Sequence, residues 1–346
     1  MNEAIKYQTV KKILHIRIDR LGDLILSTPL LRAIYDNWKD KEVHCLITPY
    51  TREVLENCPF VSEIKIFSEK WGLLERLNFF NQLKKENYDL VIAHSPSSLS
   101  YFIANYTGAP HRVGYVYEER PLVAKLVNMA LTDPIHLDLR GMLARGEKIP
   151  HEVEQGLMIA DKLGLKPKSR DLFLEPDPAD KKHVDELIKK WFWTTNKIFC
   201  IHLSEKWLNI GWQHNHFHRL VNDIKKKFGN PFILFTYGSY ELDIGREIQA
   251  TYEKTTDVKC VSDLSIKQWA AMMKKCSYVI TPDTGAIHVA ASQKVPVIAV
   301  YGPNDFELNT QQWAPWRVKN KKILQQAPIQ LINEIINGIS ELQDMY

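Results

Sequence analysis

The chain has 346 residues, of which 45% are hydrophobic and 25% are charged, so its composition is that of a globular protein and excludes a disordered or fibrous one. Its net charge of +4 is nearly balanced along the chain, which excludes a dedicated nucleic-acid-binding protein. The length is typical of two domains, each with its own core.

In the first half, short β-branched runs alternate with longer amphipathic segments, which favours βα units and parallel sheets. Residues 111–150 have little periodicity and several Pro, Arg and Glu residues, so we interpret them as loops, either a surface excursion or substrate-facing segments. The pattern predicts a helix at 24–38 and strands at 12–18, 43–47, 64–67 and 89–94.

Three prolines within residues 165–178 predict a linker, after which the alternation restarts. Strands are predicted at 198–203, 232–236, 278–281 and 295–301, and helices at 217–228, 285–292 and 329–342. The whole pattern therefore predicts two doubly wound α/β domains with a cleft between them.

The first informative motif reads R-I-D-R-L-G-D-L-I-L-S-T-P at residues 17–29 and joins the first strand to the first helix. Ligands bind at the carboxyl ends of parallel strands, and Gly22 permits a tight turn or the close approach of a ligand. Asp23 would stand at the start of the helix, where it either caps the helix or presents its carboxylate to the cleft. Spacing alone favours capping.

The second motif reads I-T-P-D-T-G-A-I-H-V-A-A at residues 280–291 and again takes a strand into a helix. The backbone N–H groups of Thr284, Gly285 and Ala286 would point out of the helix N-terminus and suit a phosphate. Asp283 is a candidate for binding sugar hydroxyls, and His288 could face the same ligand. The alternative is a capped helix with a buried histidine.

Two weaker signals lie in the same half of the chain. Gly238 and Ser239 follow a predicted strand and suit a phosphate or ribose, and Glu241 suits ribose hydroxyls. Lys206, in the loop after the strand at 198–203, could neutralise a pyrophosphate leaving group or could be a surface lysine.

The histidines at positions 214, 216 and 218 alternate as metal ligands do on a strand. They precede a helical pattern, however, and have no nearby carboxylate or cysteine ligands. We therefore expect no metal site.

Scattered cysteines and the absence of a secretory signal indicate a cytoplasmic location. The five cysteines form no C-x-x-C pair, as expected of reduced thiols. The first twelve residues have no apolar core of the kind that secretory signals carry, and no run approaches the roughly 18 apolar residues of a membrane span.

Together these motifs resemble the heptosyltransferase family, glycosyltransferase family 9, whose members add heptose to the inner core of lipopolysaccharide in bacteria. The opening pattern runs from residue 16 to residue 33. The closing pattern, D-T-G-x-x-H-x-A-A at 283–291 followed by P-V-I-A-V-Y-G-P-N-D at 296–305, is the more specific. The likeness covers nearly the whole chain.

The resemblance implies a GT-B fold, an α/β architecture of two Rossmann-like domains with a cleft between them. By this likeness, residues 1–170 form an acceptor-binding domain and residues 171–327 a nucleotide-sugar-binding domain. Residues 328–346 would form a C-terminal helix that crosses back to the first domain.

The implied activity is inverting, metal-independent transfer of heptose from ADP-heptose, which is a substrate, with no cofactor. Asp23 would be the general base. Asp283 would hold the donor sugar, nearby amides the phosphates, and the 238–241 turn the nucleoside. The donor-binding residues implied by the family are Lys206, Gly238, Ser239, Glu241, Asp283, Thr284, Gly285, Ala286 and His288.

One segment departs from the family pattern. Family members usually carry Pro-Gly-Ala and then Lys-Arg-Trp-Pro after the first strand of the second domain. Here residues 202–213 read H-L-S-E-K-W-L-N-I-G-W-Q, so Ile210 and Gly211 replace the basic pair, while Trp212 keeps the tryptophan. Lys206 then reaches the phosphates from an earlier position, or the donor is a different one.

Other interpretations therefore stay open. The chain could use another nucleotide sugar, or a protein or small-molecule acceptor. A non-catalytic sugar-nucleotide-binding protein is a third alternative, but the presence of both Asp23 and Asp283 disfavours it.

The sequence does not identify the acceptor. Arg20, Ser95, Arg112 and Arg120 are candidates for binding the anionic groups of a glycolipid, although solvated surface charge is the default for each arginine. A lipid-linked acceptor implies peripheral docking at the inner face of the inner membrane. The small net charge implies that this docking is modest and salt-sensitive.

Overall fold

The computed structural model describes residues 6–118, 121–191, 197–238 and 242–344. The chain divides into two compact units, Met1–Phe173 and Leu174–Tyr346. Each unit contains one parallel six-stranded sheet with helices packed around it.

In the first unit the strand order is β3-β2-β1-β4-β5-β6. The strands are β1 (Lys12–Ile16), β2 (Glu42–Ile47), β3 (Glu63–Ile66), β4 (Leu90–Ala93), β5 (His111–Tyr117) and β6 (Asp133–Leu137). The α-helices are α1 (Leu21–Asn37), α2 (Arg52–Leu55), α3 (Leu73–Lys85), α4 (Ser98–Tyr106), α5 (Pro121–Ala130), α6 (Leu139–Ala144) and α7 (Glu152–Lys162), with a 3-10 turn at Pro49–Thr51.

In the second unit the strand order is β12-β11-β10-β7-β8-β9. The strands are β7 (Ile198–His202), β8 (Phe232–Thr236), β9 (Val258–Val261), β10 (Tyr278–Pro282), β11 (Val297–Tyr301) and β12 (Asn320–Leu324). The helices are α8 (Pro178–Lys190), α9 (Glu205–Asn209), α10 (His214–Phe228), α11 (Leu242–Thr251), α12 (Ile266–Met273), α13 (Gly285–Ser292), α14 (Phe306–Gln312) and α15 (Pro328–Asp344).

Both sheets have the same topology. Counted in chain order within its own unit, each sheet runs 3-2-1-4-5-6, the Rossmann order, in which the first and fourth strands are neighbours at the point where the winding reverses. The register pairs Ile16 with Ala93 at the carboxyl ends of β1 and β4. The loops that follow these two strands therefore start side by side.

The first helix continues through a proline because neighbouring hydroxyls satisfy its backbone. Pro29 lies inside α1 and has no N–H to donate to the Ile25 carbonyl. Thr28 Oγ1 donates to that carbonyl oxygen at 2.6 Å. The same Oγ1 accepts from the backbone N–H of Phe173 at 2.9 Å, so the end of the first unit is fastened to α1.

The interpretation of residues 111–150 as loops is wrong, because they contain β5, α5, β6 and α6. Gly114 interrupts the apolar run of β5, and a glycine in that position is typical of a break. Here the glycine is needed, since a Cβ at this position would lie 2.9 Å from the carbonyl oxygen of Ala93 on the adjacent strand.

The sequence analysis also missed β9 and β12. Both are edge strands, and in β12 only Ile323 is buried. An edge strand exposes most of its side chains, so it lacks the apolar run by which the central strands are identified.

The last helix, α15, is amphipathic and packs in the core of the second unit. Leu331, Ile332, Ile335 and Ile339 are fully buried there, against α10 and the strands β11 and β12. The expected return of residues 328–346 to the first domain stays a prediction. Among the helices of the described residues, none has the length and apolar character needed to cross a membrane.

Two buried histidines are expected to make the protein less stable in mild acid. His15 and His94 are fully buried, with His15 Nε2 and His94 Nδ1 3.0 Å apart. Burial, helped by the nearby Arg17 cation, lowers the pKa of His15 to about 3 and holds that of His94 well below 6.5. The unfolded chain takes up these protons near pH 6.5, so the free energy of unfolding falls as pH drops from there towards 3, by up to about 1.4 kcal/mol per pH unit for each histidine.

Urea unfolding at pH 7.5, 6.5 and 5.5 measures this dependence. The double variant His15→Gln/His94→Gln is the control, because neither glutamine takes up a proton in this range. We expect it to be less stable at pH 7.5 but to have a weaker pH dependence. Equal pH dependence in the two proteins would contradict the prediction.

Candidate active site

In the first unit the candidate site lies where the strand order reverses. The segment 17–23 follows β1, and His94 and Ser95 follow β4, the neighbouring strand. In open α/β sheets this crevice is where ligands bind. The sequence motif at 17–29 therefore starts at the expected edge of the sheet.

Asp23 is the third residue of α1, and its carboxylate is partly exposed. Its Oδ2 accepts from the backbone N–H of Arg20 at 3.4 Å, which satisfies one donor of the first helical turn. Its Oδ1 lies 3.6 Å from Nη2 of Arg17, and 22% of the side chain is exposed. The carboxylate of Asp23 therefore helps to cap α1 and remains partly exposed. Its presentation to the cleft stays a prediction.

A buried arginine joins the elements of this site. Arg17 is 2% exposed; its Nη1 donates to the carbonyl oxygen of His94 at 2.7 Å and lies 3.3 Å from Oδ2 of Asp19. Its Nη2 donates to Oε1 of Glu152 at 2.6 Å, and its Nε to the carbonyl oxygen of Asp23 at 3.2 Å. We refer to Arg17, Asp19, Asp23, His94 and Glu152 as the Arg17 cluster.

The electrostatics of the cluster are those of one cation shared by three carboxylates. Burial alone would lower the pKa of Arg17, but the carboxylates of Glu152, Asp23 and Asp19 raise it above the usual arginine value. Burial raises the pKa of Asp19, against the opposing effect of Arg17. Arg17 is therefore permanently charged. Asp19 is protonated more easily than an exposed aspartate because it is buried.

The sequence analysis did not identify Arg17, Asp19 or Glu152 as functional residues. The available signal was the charged pair Arg17 and Asp19 in the run I-L-H-I-R-I-D, which begins in β1 and continues into the loop after it. Glu152 had no local signal, because it comes from α7, 135 residues along the chain.

Two of the predicted acceptor residues lie at this edge of the sheet. Arg20 is exposed and immediately precedes α1. Ser95 is fully buried, its Oγ accepts from the backbone N–H of Ile18 at 2.9 Å, and it also bonds Asp19. Ser95 therefore supports the loop after β1, and the acceptor contacts expected of Ser95 and Arg20 stay predictions.

The other two predicted acceptor residues do not join the Arg17 cluster. Arg112 is the second residue of β5, towards the amino edge of the sheet, and its guanidinium donates to the carbonyl oxygens of Ala130 at 2.7 Å and Ala109 at 2.6 Å. These bonds tie Arg112 to the end of α5 and to the loop before β5. The acceptor contact expected of Arg112 stays a prediction. Arg120 lies outside the described residues.

In the second unit the corresponding edge brings Lys206 and Asp283 together. The loops after β7 and β10 adjoin, because these strands are neighbours where the winding reverses. Lys206 Nζ lies 3.2 Å from Oδ2 of Asp283 and also donates to the carbonyl oxygen of Asp283. The ammonium of Lys206, the second residue of α9, therefore lies beside the start of α13, and both side chains are partly exposed.

The N-terminus of α13 is capped by its own threonine. Thr284 Oγ1 accepts from the backbone N–H of Ala286 at 3.3 Å and lies 3.1 Å from Oγ1 of Thr281. The Ala286 amide, predicted to bind phosphate, thus has a partner within the cap. Gly285 begins the helix, and His288, one turn further on, is 5% exposed.

The segment that departs from the family pattern is a packed element. Trp207 and Trp212 are buried with their ring centroids 4.4 Å apart, and Ile210 packs against the same core. Gly211 has a φ of +83°, a left-handed conformation that favours glycine. The residues in place of the basic pair therefore make a turn and an apolar contact, and Lys206 is the cation beside Asp283.

The predicted nucleoside turn is described only in part. Gly238 is exposed just after β8, whereas Ser239 and Glu241 lie outside the described residues. Tyr237 is buried against α11 at Gly245, where a Cβ would come within 2.4 Å of the tyrosine ring. Close packing of Tyr237 on this helix therefore requires the glycine.

One cluster in the first unit has the residue types of a metal site. His44 Nε2 lies 2.6 Å from Oε1 of Glu42 and 3.3 Å from Oε2 of Glu63, at the amino edge of the sheet. Its Nδ1 is 2.9 Å from the hydroxyl of Tyr88, and Lys65 Nζ is 2.7 Å from Glu63. The candidate ligand atoms are thus His44 Nε2 and one oxygen of each glutamate, and they pair with one another in the structure. The expectation that no metal is used stays a prediction.

The comparison with known proteins agrees with the resemblance noted in the sequence. The family model described as glycosyltransferase family 9 (heptosyltransferase) matches residues 76–331, well over half of the chain. The lipopolysaccharide heptosyltransferase 2 of Escherichia coli K12 is 25% identical over 313 residues, which are 85% of this chain and 83% of the relative.

Solved structures share the fold. The E. coli ADP-heptose lps heptosyltransferase II superposes with a TM-score of 0.73 at 19% identity, over 97% of this chain and 100% of that one. The E. coli heptosyltransferase WaaC with ADP gives a TM-score of 0.71 at 17% identity, over 96% and 99%. The predicted GT-B class of α/β fold is confirmed, and the chain is a glycosyltransferase that belongs to glycosyltransferase family 9, the heptosyltransferase family.

Proposed function

We propose that the protein is an inverting, metal-independent heptosyltransferase that transfers heptose from ADP-heptose to an inner-core acceptor of lipopolysaccharide. The observation that carries the proposal is the pairing of Lys206 with Asp283 at the start of α13. This cation and carboxylate suit the diphosphate and the sugar hydroxyls of one donor. Relatives named as lipopolysaccharide heptosyltransferases, and a similar structure that holds ADP, support the choice of substrates.

The acceptor side of the reaction needs a base, and Asp23 supplies it. The acceptor hydroxyl oxygen attacks the anomeric carbon from the face opposite the diphosphate, and the bond from that carbon to the phosphate oxygen breaks. Asp23 takes the proton from the attacking hydroxyl. Attack from the opposite face inverts the configuration of the anomeric carbon.

The donor side stabilises the leaving group. Negative charge develops on the diphosphate as the bond breaks, and the Lys206 cation and the N-terminal end of α13 stabilise it. Asp283 accepts hydrogen bonds from the donor sugar. Because the cation is a side chain, neither a metal ion nor a cofactor is required.

The acceptor is an anionic glycolipid, with Arg20 as the exposed cation next to Asp23. A lipid-linked acceptor places the enzyme in the cytoplasm, in peripheral contact with the inner membrane. The small net charge of +4 makes this contact sensitive to salt.

The alternative within the family is another nucleotide sugar or a non-lipopolysaccharide acceptor. The observation that favours this alternative is the packed segment 202–213. In it Ile210, which stands in place of a basic residue of the family pattern, contacts the core. A donor with a different base or sugar would still use Asp23 and Lys206.

Calorimetric titration of ADP, UDP and GDP, first without metal and then with EDTA, tests the donor. We expect a preference for ADP that EDTA does not change. A preference for UDP or GDP would overturn ADP-heptose as the donor, and loss of binding in EDTA would overturn metal independence. Binding of none of the three to the folded protein would favour the non-catalytic alternative.

A further inference from the structure

We infer that Arg17 is a positioning residue for the transfer reaction, and that Glu152 fixes its guanidinium so that the Asp23 carboxylate is held in place at the start of α1. The inference rests on the proposed role of Asp23 as the base. Arg17 itself does not face a substrate, since only 1% of its side chain is exposed.

A buried arginine costs free energy that its contacts must offset. Apart from Glu152, every group that Arg17 contacts belongs to a segment of the candidate site. The guanidinium meets the end of β4 through His94, the loop after β1 through Asp19, and the first turn of α1 through both the backbone and the carboxylate of Asp23. One side chain thus sets the relative positions of three segments.

Glu152 is the contact that orients the guanidinium group of Arg17. Its bond to Arg17 Nη2, at 2.6 Å, is the shortest of the three carboxylate contacts and is buried. Glu152 begins α7, and Gly156, one turn later, lets that helix approach closely, because a Cβ there would lie 3.1 Å from Cε1 of His94. The helix therefore delivers a fixed negative charge to the back of the guanidinium.

The shape of arginine matters as well as its charge. Nε holds the Asp23 backbone, Nη2 bridges Glu152 and the Asp23 carboxylate, and Nη1 holds the His94 carbonyl. A lysine ammonium is a single point of charge and cannot make these contacts at once. Charge and geometry can therefore be separated by substitution.

The electrostatic consequence has a definite sign for each partner. Removing Arg17 leaves the three carboxylates without their shared cation, so negative charge in the Arg17 cluster becomes less favourable. Neutralising Glu152 removes one negative charge from the same cluster, so negative charge on the remaining carboxylates becomes more favourable. The acidic limb of the pH profile of kcat should move in opposite directions in the two variants.

The test compares Arg17→Gln, Arg17→Lys and Glu152→Gln with the control Arg145→Gln, which removes an exposed arginine of the same unit that pairs with Asp138 and Glu147. For Arg17→Gln we expect kcat to fall about 10²-fold, the effect of misplacing a catalytic group, the donor KM to change little, and the acidic limb to move to higher pH. Arg17→Lys should restore the limb but not the rate. Glu152→Gln should move the limb to lower pH, and the control should match the wild type.

Two results would overturn the inference. One is a folded Arg17→Gln protein with a wild-type rate and pH profile. The other is loss of rate in both Arg17→Gln and Glu152→Gln with no shift of the acidic limb, or with shifts in the same direction, as expected of a purely structural role. If Arg17→Gln fails to fold, Glu152→Gln alone decides, by whether its limb moves to lower pH.

NMR titration of ¹³C-labelled aspartate carboxyl groups gives the same comparison without turnover. The carboxyl titrations of the cluster should move up in Arg17→Gln and down in Glu152→Gln. These measurements separate the two proposals. If Asp23→Asn is active, Asp23 is not the base, but the titrations in Arg17→Gln and Glu152→Gln still test the role of Arg17. If Asp23→Asn is inactive and the titrations in Arg17→Gln and Glu152→Gln match those of the wild type, only the positioning role of Arg17 is rejected.

Discussion

Replacing Asp23 by asparagine is expected to lower kcat about 10²–10⁴-fold, because the acceptor hydroxyl loses the group that takes its proton. Asparagine keeps the size of the side chain and is itself a good residue at helix starts, so α1 should still form. The affinity for ADP, which we propose binds to the second unit, should not change. Steady-state transfer kinetics and ADP calorimetry on the same preparation measure both quantities.

Asp36→Asn is the matched control, because Asp36 lies on the same helix and forms an i,i+4 pair with Arg32 at 3.7 Å. We expect this variant to keep the wild-type rate. An Asp23→Asn protein that turns over within a few-fold of wild type would reject Asp23 as the base. Asp19 also pairs with Arg17, and burial raises its pKa, so Asp19 would then be the residue to replace.

Replacing Lys206 by alanine is expected to lower kcat about 10²–10³-fold, the effect of removing one group that stabilises developing charge. Nζ already lies beside Asp283 at the start of α13, where the diphosphate is proposed to bind. Because ADP carries the same diphosphate, its affinity should fall too. Lys206→Arg should recover part of both, since it keeps the charge.

The control for this substitution is Lys275→Ala. Lys275 is an exposed lysine of the same unit that also pairs with an aspartate, Asp185, at 2.7 Å. We expect it to leave transfer and ADP binding unchanged. Wild-type kinetics in Lys206→Ala would show that another group stabilises the diphosphate.

Local patterns predicted where the main candidate residues lie along the fold. A β-branched run followed by a small residue and an amphipathic segment marks a strand-to-helix turn, and the structure has Asp23 in the first turn of α1 and Asp283 just before the N-cap of α13. The parallel arrangement then puts these turns at the carboxyl edges of the sheets.

Contacts between distant segments could not be predicted in this way. Glu152 meets Arg17 only because α7 packs on α1 and approaches His94 at a glycine, and nothing near Glu152 in sequence signals this. The burial of single side chains could not be predicted from local sequence either. Ser95 has the sequence context of an exposed loop serine but is fully buried. Arg112 looked like a surface cation and is bonded to two carbonyls.

The ion pair between Lys206 and Asp283 also bears on how the enzyme releases its product. In the structure Lys206 and Asp283 are each other's partner, so a ligand that binds either side chain must replace this contact with its own. In the proposed reaction an intact donor offers a partner to both, phosphate to the lysine and sugar hydroxyls to the carboxylate. The spent nucleotide offers a partner only to Lys206 and leaves Asp283 facing a diphosphate of like charge. For the proposed reaction we therefore expect re-closure of the pair to favour departure of the nucleotide and to limit inhibition by the product.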